Sequence, residues 1–566
     1  MPVIFIISVI LIITALPKDV AAKINPGIHN VLELDNNKKN KIELQKKILY
    51  DNYGRPKKQK STSSKSGKFR INYFITGEHA VDRTDNDNNG FPDFVDSVGY
   101  YLDRAYFTMV RDMGFISPVP EDHLNISHGL YNVYLWDLGN HDEGIEYGRS
   151  PKNILSYGGV YGLAQPYQLI YNEKSMKRVT SYIVLDNDFS EGDIAYNGNE
   201  FINAYKTTGY EALKITAAHE FHHAIQLITG ITDYNAIFSE MTSVLMEKIL
   251  YPEVKDYIHS INTYLQQPQE YVYGINESYL GYGASAFLIM LEEKYGKEFI
   301  KLTWDLISEG NNCFVALENV LKNNYNSTGI EDEFEEFGEW MVFTGHRKKD
   351  NLSGNCFLDA ELMKTTKSKG IYEINNITQD IQSELRSFTF ETFKFPLQAT
   401  KENNDTLLAL VINNNPKWIN NYREYKYMDY KLNINGDKQD NNTRILNTDY
   451  FYNYTQNKNL IIKFFKITKQ EITKIESLVS PNPYLLSRHK YVQIDVSGLK
   501  DAETAGLMIY SSNSKMIHQT EYEILKYGDK QYIVVNDPKI YSPGVYFYMA
   551  RSDNNKIVYG KFIIRK

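Results

Sequence analysis

The chain has 566 residues, 42% hydrophobic and 23% charged, enough for about three or four domains with ordinary packed cores. Its formal net charge of -8 argues against non-specific nucleic-acid binding, which requires a basic face, so nucleic acid is not expected as a partner. The 45 tyrosines and frequent asparagines suit extracellular β domains and polar loops.

Residues 3–16 are an almost unbroken apolar run, followed by Pro17-Lys-Asp-Val-Ala-Ala22. The run falls short of the roughly 20 residues that span a bilayer, and the small residues after it suit a signal peptidase. Residues 1–22 are therefore expected to be a secretory signal. The mature chain would be secreted or held at the cell surface, with no transmembrane helix after signal removal. Residues 23–68 end in a basic, Ser-rich stretch at 54–67 without apolar periodicity, which reads as a solvated linker or a prosegment.

From Phe69 the pattern changes. Phe69-Arg-Ile-Asn-Tyr-Phe-Ile-Thr76 reads as a strand, residues 95–113 as a helix, and Tyr131-Asn-Val-Tyr-Leu-Trp136 and Ser181-Tyr-Ile-Val-Leu185 as further strands. Helical periodicity then dominates from 208 to about 342. Strands followed by a helical block predict an α+β domain over 69–364. Beyond it, short alternating runs such as Leu407-Leu-Ala-Leu-Val-Ile412 and Leu460-Ile-Ile-Lys-Phe-Phe465 predict a β-rich domain over 365–475 and a last β-sandwich unit over 476–566. Cys313 and Cys356 are the only cysteines; export permits a disulfide between them, and two free thiols are equally compatible with the sequence.

Asp85-Asn-Asp-Asn-Asn-Gly-Phe-Pro-Asp-Phe-Val-Asp96 has the spacing of a twelve-residue calcium loop. Asp85, Asp87 and Asn89 take the first, third and fifth places, Gly90 the turn, Phe91 a backbone carbonyl, and Asp93 and Asp96 the ninth and twelfth. So many carboxylates repel one another unless a cation neutralises them, which predicts a structural Ca2+; a solvated acidic turn is the alternative.

The segment 208–230 contains His219-Glu-Phe-His-His223. Thr208 and Glu211 have the spacing of a capping box, and Gly230 suits a helix end. In a helix so framed, His219 and His223 lie one turn apart on one face, where two imidazoles can hold one zinc ion. Glu220 would stand beside the ion as the general base, taking a proton from the attacking water and passing it to the leaving amine. His222 points to one side and reads as a supporting residue.

A catalytic zinc needs a third protein ligand. The next helical segment, 236–250, carries Glu240 and Glu247 on one face among apolar residues, and a buried carboxylate needs a partner. Glu240 is preferred, with Glu247 as runner-up and His259 as a weaker competitor. Tyr279 and Tyr282, at the start of another helix, are candidates to stabilise the oxyanion of a tetrahedral intermediate.

The zinc segment resembles the gluzincins, metallopeptidases in which a Glu on a later helix completes the site. Their aromatic-x-x-Glu-Gly-x-Ala stretch corresponds to Ile237-Phe-Ser-Glu-Met-Thr-Ser243, which assigns the ligand to Glu240; Ile237, Met241 and Ser243 depart from the pattern. More narrowly, residues 69–345 resemble a family of secreted bacterial metalloproteases. The matching pieces are Asn89-Gly-Phe-Pro-Asp-Phe-Val95, Tyr182-Ile-Val-Leu-Asp-Asn-Asp-Phe189, the zinc helix and Tyr282-Gly-Ala-Ser-Ala-Phe-Leu288. The tail is similar to the C-terminal sorting domain of the type IX secretion system, through Ser480-Pro-Asn-Pro-Tyr484, Leu507-Met-Ile-Tyr510 and the closing residues 544–566. That resemblance implies the type IX machinery as a partner and passage across the outer membrane.

The leading expectation is hydrolysis of a protein or peptide substrate outside the cell, on a zincin-like domain. An adhesin or binding protein on a catalytically idle scaffold is the alternative. A zinc hydrolase acting on other bonds is a third possibility.

Overall fold

The computed structural model describes residues 57–121, 129–139, 160–173, 176–196, 201–230, 236–269, 279–351, 354–372, 379–396 and 405–414, and shorter stretches between 428 and 565. The signal segment expected at 1–22 lies outside the described residues, as do most of residues 23–68 and Pro481 and Pro483 of the tail motif.

The described residues mix α-helices with several sheets, an α+β arrangement. Lys60–Ser63 (β1), Phe69–Tyr73 (β2), Tyr131–Trp136 (β3), Gly162–Glu173 (β4) and Met176–Asp186 (β5) form one sheet in the spatial order β1-β2-β3-β5-β4. Strands β2, β3 and β5 run parallel, while β1 and β4 are antiparallel to their neighbours. β1 falls inside the stretch read as a linker, and it pairs Lys60 with Tyr73 and Ser63 with Arg70. The linker reading therefore fails at these residues. An edge strand largely open to water is held by main-chain hydrogen bonds and tolerates Lys and Ser, so its composition looks like coil.

β3 is buried at every position, as befits a parallel strand covered on both faces. Val133, Leu135, Ile183 and Leu185 point into the main core, whereas Tyr134, Trp136, Tyr182 and Val184 point into a smaller cluster on the other side. The period-2 alternation of the pleat thus separates two apolar layers.

Against the sheet lie Asp93–Tyr106 (α1) and Gly209–Thr229 (α2), followed by Ala236–Leu250 (α3), Tyr257–Gln266 (α4), Tyr279–Tyr295 (α5), Glu298–Ser308 (α6), Cys313–Asn324 (α7) and Ile330–Val342 (α8). α2 is the central element: from Ala212 to Thr229 every residue except Lys214 is buried. Phe221 is 0% exposed and its ring meets Phe69 edge-on at 5.5 Å; burying such a side chain contributes roughly 1.5–3 kcal/mol. The capping box expected at Thr208 and Glu211 does not form: the Thr208 side chain caps nothing. Glu211 instead accepts from Lys214 Nζ at 2.5 Å. At the other end Gly230, at φ 139°, donates to Gln226 O at 2.9 Å and closes the helix.

Gly370–Ile371 (β6), Thr389–Pro396 (β7), Asp405–Asn413 (β8) and Leu460–Thr468 (β9) form a second sheet in the order β9-β8-β7-β6. One face brings Phe390, Leu408, Leu410 and Ile412 into the same core as Phe334, Phe337 and Met341 of α8. The core therefore runs continuously across the boundary expected at 364. The C-terminal strands, from Lys474–Glu476 to Ile557–Arg565, enclose a further core of Ile494, Leu507, Ile509, Tyr548, Phe562 and Ile564. Cys313 and Cys356 are free thiols. No helix among the described residues is long and apolar enough to cross a membrane.

Candidate metal centre

One turn of α2 separates His219 from His223, and their Nε2 atoms face each other at 2.9 Å. Glu240, from α3, brings its Oε2 to 3.2 Å from His219 Nε2 and 3.4 Å from His223 Nε2. Bonds of 2.0–2.1 Å to a tetrahedral zinc would set ligand atoms about 3.3 Å apart. Two imidazole nitrogens and a carboxylate oxygen at these separations fit a small divalent cation, and the three residues are buried. His219 and His223 together hold the Glu240 carboxyl at about 2, outweighing the upward push of its burial.

Each imidazole is oriented by its other nitrogen. His219 Nδ1–H donates to Glu247 Oε1 at 2.5 Å, so Glu247 sits behind the histidine and not among the three converging atoms. His223 Nδ1–H donates to Gln226 Oε1 at 2.7 Å. The Gln226 amide in turn reaches His222 Nδ1 at 2.9 Å, Ser239 O at 3.0 Å and Thr242 Oγ1 at 3.0 Å. His222 is 0% exposed, packs edge-on to Phe115 and Trp304, and is kept neutral by burial and by the two neighbouring histidines. It acts as an anchor for Gln226.

Glu220 is 4% exposed. Ala164 N–H of β4 donates to its carboxyl, while Oε2 has no hydrogen-bond partner. Burial pushes this carboxyl above the usual carboxylate range, against the pull of His219 and His223. A buried acid with a raised pKa and one unpartnered oxygen suits proton transfer. Two close approaches set the geometry. A Cβ on Gly162 of β4 would come within 2.8 Å of Glu220 Cγ, and a Cβ on Gly281 of α5 would overlap Glu240 Cβ and reach 2.5 Å from Ile237 O.

The Tyr282 ring stacks on His219 at 5.5 Å, 7° from parallel. Its phenol bonds to the Glu240 carboxylate and stays protonated, because burial and then the carboxylates of Glu240, Glu220 and Glu247 push its pKa far up. Tyr279 opens α5, and its side chain lies outside the described residues. His259 stands exposed on α4, on the wall of a cavity of about 80 Å3 that also touches His219, Glu220 and Tyr282, and it does not join the three ligand atoms.

In the loop before α1, Asp85, Asp87 and Asp93 gather carboxylate oxygens within 4.8 Å of one another. Asp85 accepts from Asn89 N at 3.1 Å and Gly90 N at 3.0 Å, with Gly90 at φ 89° making the turn. Asp96 is outside this group; its Oδ2 takes Asn89 Nδ2 at 2.7 Å. The Phe91 ring is exposed and its N–H donates to Asn89 Oδ1 at 2.8 Å. A second acidic group, Asp137, Asp186 and Asp193, joins the ends of β3 and β5. Sequence reading missed it because its members lie 49 and 7 residues apart in sequence, with no motif linking them. Asp186 is 0% exposed and accepts from Leu138 N at 2.7 Å and Phe189 N at 2.6 Å.

Sequence reading also passed over Gln226, Gly162 and Gly281. Only Gln226 left a signal there, as a polar residue three positions after His223 on an otherwise apolar helix. Comparison of the chain with protein-family models and with curated proteins finds no match in either.

Proposed function

We propose that this protein is an exported zinc-dependent peptidase on a zincin-like domain, with His219, His223 and Glu240 as ligands and Glu220 as general base. The observation that carries the reading is the convergence of His219 Nε2, His223 Nε2 and Glu240 Oε2 within 2.9–3.4 Å of one another, beside an unpartnered Glu220 Oε2 on an open cavity. A purely structural metal site has no use for an orphan acid at a solvent-reached face. Zinc bound there supplies Lewis acidity. Glu220 takes the proton of the attacking water through Oε2 and returns it to the departing amine nitrogen. The protonated Tyr282 phenol would have to turn its O–H from Glu240 to the developing oxyanion in order to stabilise it.

The same reading takes the Asp85–Asp87–Asp93 loop as a structural calcium site and the C-terminal β-sandwich as a type IX sorting domain. Support for the first is the gathered carboxylates; for the second, the tail motifs in a β unit with its own core.

The test is a metal assay paired with a peptide-library digest. Wild type should carry about one zinc per chain at this site and cleave, and Glu220→Gln should keep the metal and lose cleavage. If both are equally inert on peptides, the idle-scaffold or non-peptide hydrolase reading replaces this one.

A further inference from the structure

The cavity beside Glu220 has walls of a definite chemistry. It measures about 80 Å3, room for several waters at roughly 10–15 Å3 each and hence for one long side chain. Asp256, at the start of α4, lines it, and Thr207 Oγ1 fixes one of its oxygens by donating to Oδ1 at 2.5 Å. Glu247 lines the same space, 7% exposed, with Oε1 committed to His219.

Two aromatic rings complete the wall. Tyr161 is held by Lys206 N and Thr207 N, which donate to its hydroxyl at 2.7 and 3.0 Å, and Tyr257 by its own donation to Asp359. The neighbouring cation Lys255 is engaged by Asp359 at 2.7 Å and so does not neutralise Asp256. Lys206 and His259 stand exposed at the rim, where water and salt screen their charge far more than that of the recessed carboxylates. Glu220 Oε2, orphaned and buried, lines the same cavity and marks it as the place where reacting groups arrive.

We infer that this cavity takes the side chain of an arginine or lysine flanking the cleaved bond, its cationic end on Asp256 in the field of Glu247 and its stem along Tyr161 and Tyr257. Aromatic faces and a fixed carboxylate are the complement of a long cationic side chain. A carboxylate side chain would meet the like charge of Asp256 there. The inference rests on the peptidase reading and deepens it.

The experiment uses the zinc-loaded full chain on a peptide library, with cleavage sites read by mass spectrometry. kcat/KM follows on three matched peptides that carry Arg, Gln or Glu at the preferred flanking position. Arg should exceed Gln by about tenfold and Glu by more. Asp256→Asn should cut the Arg-to-Gln ratio by about tenfold. Thr207→Val, which removes the hydroxyl that fixes Asp256, should lower it several-fold and serves if Asp256→Asn does not fold. A wild type that cleaves efficiently without basic preference, or whose preference survives both variants, overturns this inference and leaves the peptidase reading intact. A wild type no more active than Glu220→Gln overturns both.

Discussion

Glu247 accepts a hydrogen bond from His219 Nδ1 at 2.5 Å, on the side of the ring opposite the nitrogen that faces Glu240. One imidazole is thereby clamped between two carboxylates of the same helix α3, seven residues apart, and only Glu240 is among the converging atoms. Burial pushes the Glu247 carboxyl up to about 7 and His219 pulls it back only in part. Glu247→Gln should therefore weaken zinc retention by about 10–100-fold, whereas Glu240→Ala should abolish stoichiometric binding. A chelator competition titration separates the two; equal losses in both variants would count against the distinction.

Gln226 performs the same service for His223, through a fuller set of partners. Gln226→Ala removes the closest acceptor of His223 Nδ1–H, at 2.7 Å, and leaves Ser243 Oγ, at 3.3 Å from that nitrogen and 3.1 Å from His222 Nδ1, as the remaining partner of both nitrogens. We expect a loss in zinc affinity of about 10–100-fold, with Gln226→Glu retaining more than Gln226→Ala because a carboxylate still accepts from His223. If the alanine variant binds zinc like wild type, the orienting role is wrong.

Gly281 and Gly162 should be intolerant of a single methyl group for different reasons. Gly281→Ala pushes α5 off α3 at Glu240 and should destabilise the fold by about 1–3 kcal/mol while weakening metal binding. Gly162→Ala presses on Glu220 Cγ and Thr216 Cγ2, both at 2.8 Å, and should reduce kcat with metal content nearly unchanged. Thermal melts, metal analysis and kinetics together distinguish the two patterns.

Stability should depend on pH through Asp193. Burial, followed by the charges of Asp186, Asp188 and Asp137, pushes its carboxyl up to about 8 from an ordinary value of 3.8. The folded chain thus binds a proton that the unfolded chain has released, and in a chelator-treated sample stability should fall as pH rises between those two values. Asp193→Asn should flatten that slope and gain most at the alkaline end. Melting curves of the two proteins that stay parallel from pH 5 to about 8 would rule out this assignment.

Calcium should raise the melting temperature by neutralising Asp85, Asp87 and Asp93. Asp85→Ala should abolish that gain, since it also removes the acceptor of Asn89 N and Gly90 N. Asp96→Ala should diminish it less, because Asp96 reaches the loop through Asn89. Differential scanning calorimetry with added Ca2+ or EDTA reads both effects.

Much of the site was legible before any fold was known. His219, Glu220 and His223 lie on one helix, where backbone geometry alone brings i and i+4 together. Periodicity could not separate Glu240 from Glu247, because residues seven apart share a face; the preference for Glu240 in the residue reading was sharpened by the gluzincin resemblance. In the folded chain the two acids meet different nitrogens of one ring. The Lys60–Ser63 strand was misread for the opposite reason: its pairing is made by main-chain atoms that carry no residue signature. The capping box was misread because Glu211 found Lys214 closer to hand.

Local chemistry in the sequence determined which residues can bind a cation and which segment presents them, since a helical repeat is a property of the chain itself. Tertiary structure alone decided which acid completes the trio, which amide and carboxylate hold the rings, and how close β4 and α5 approach. Those relations join residues that the chain keeps apart, and only packing against a shared core brings them within a few ångströms.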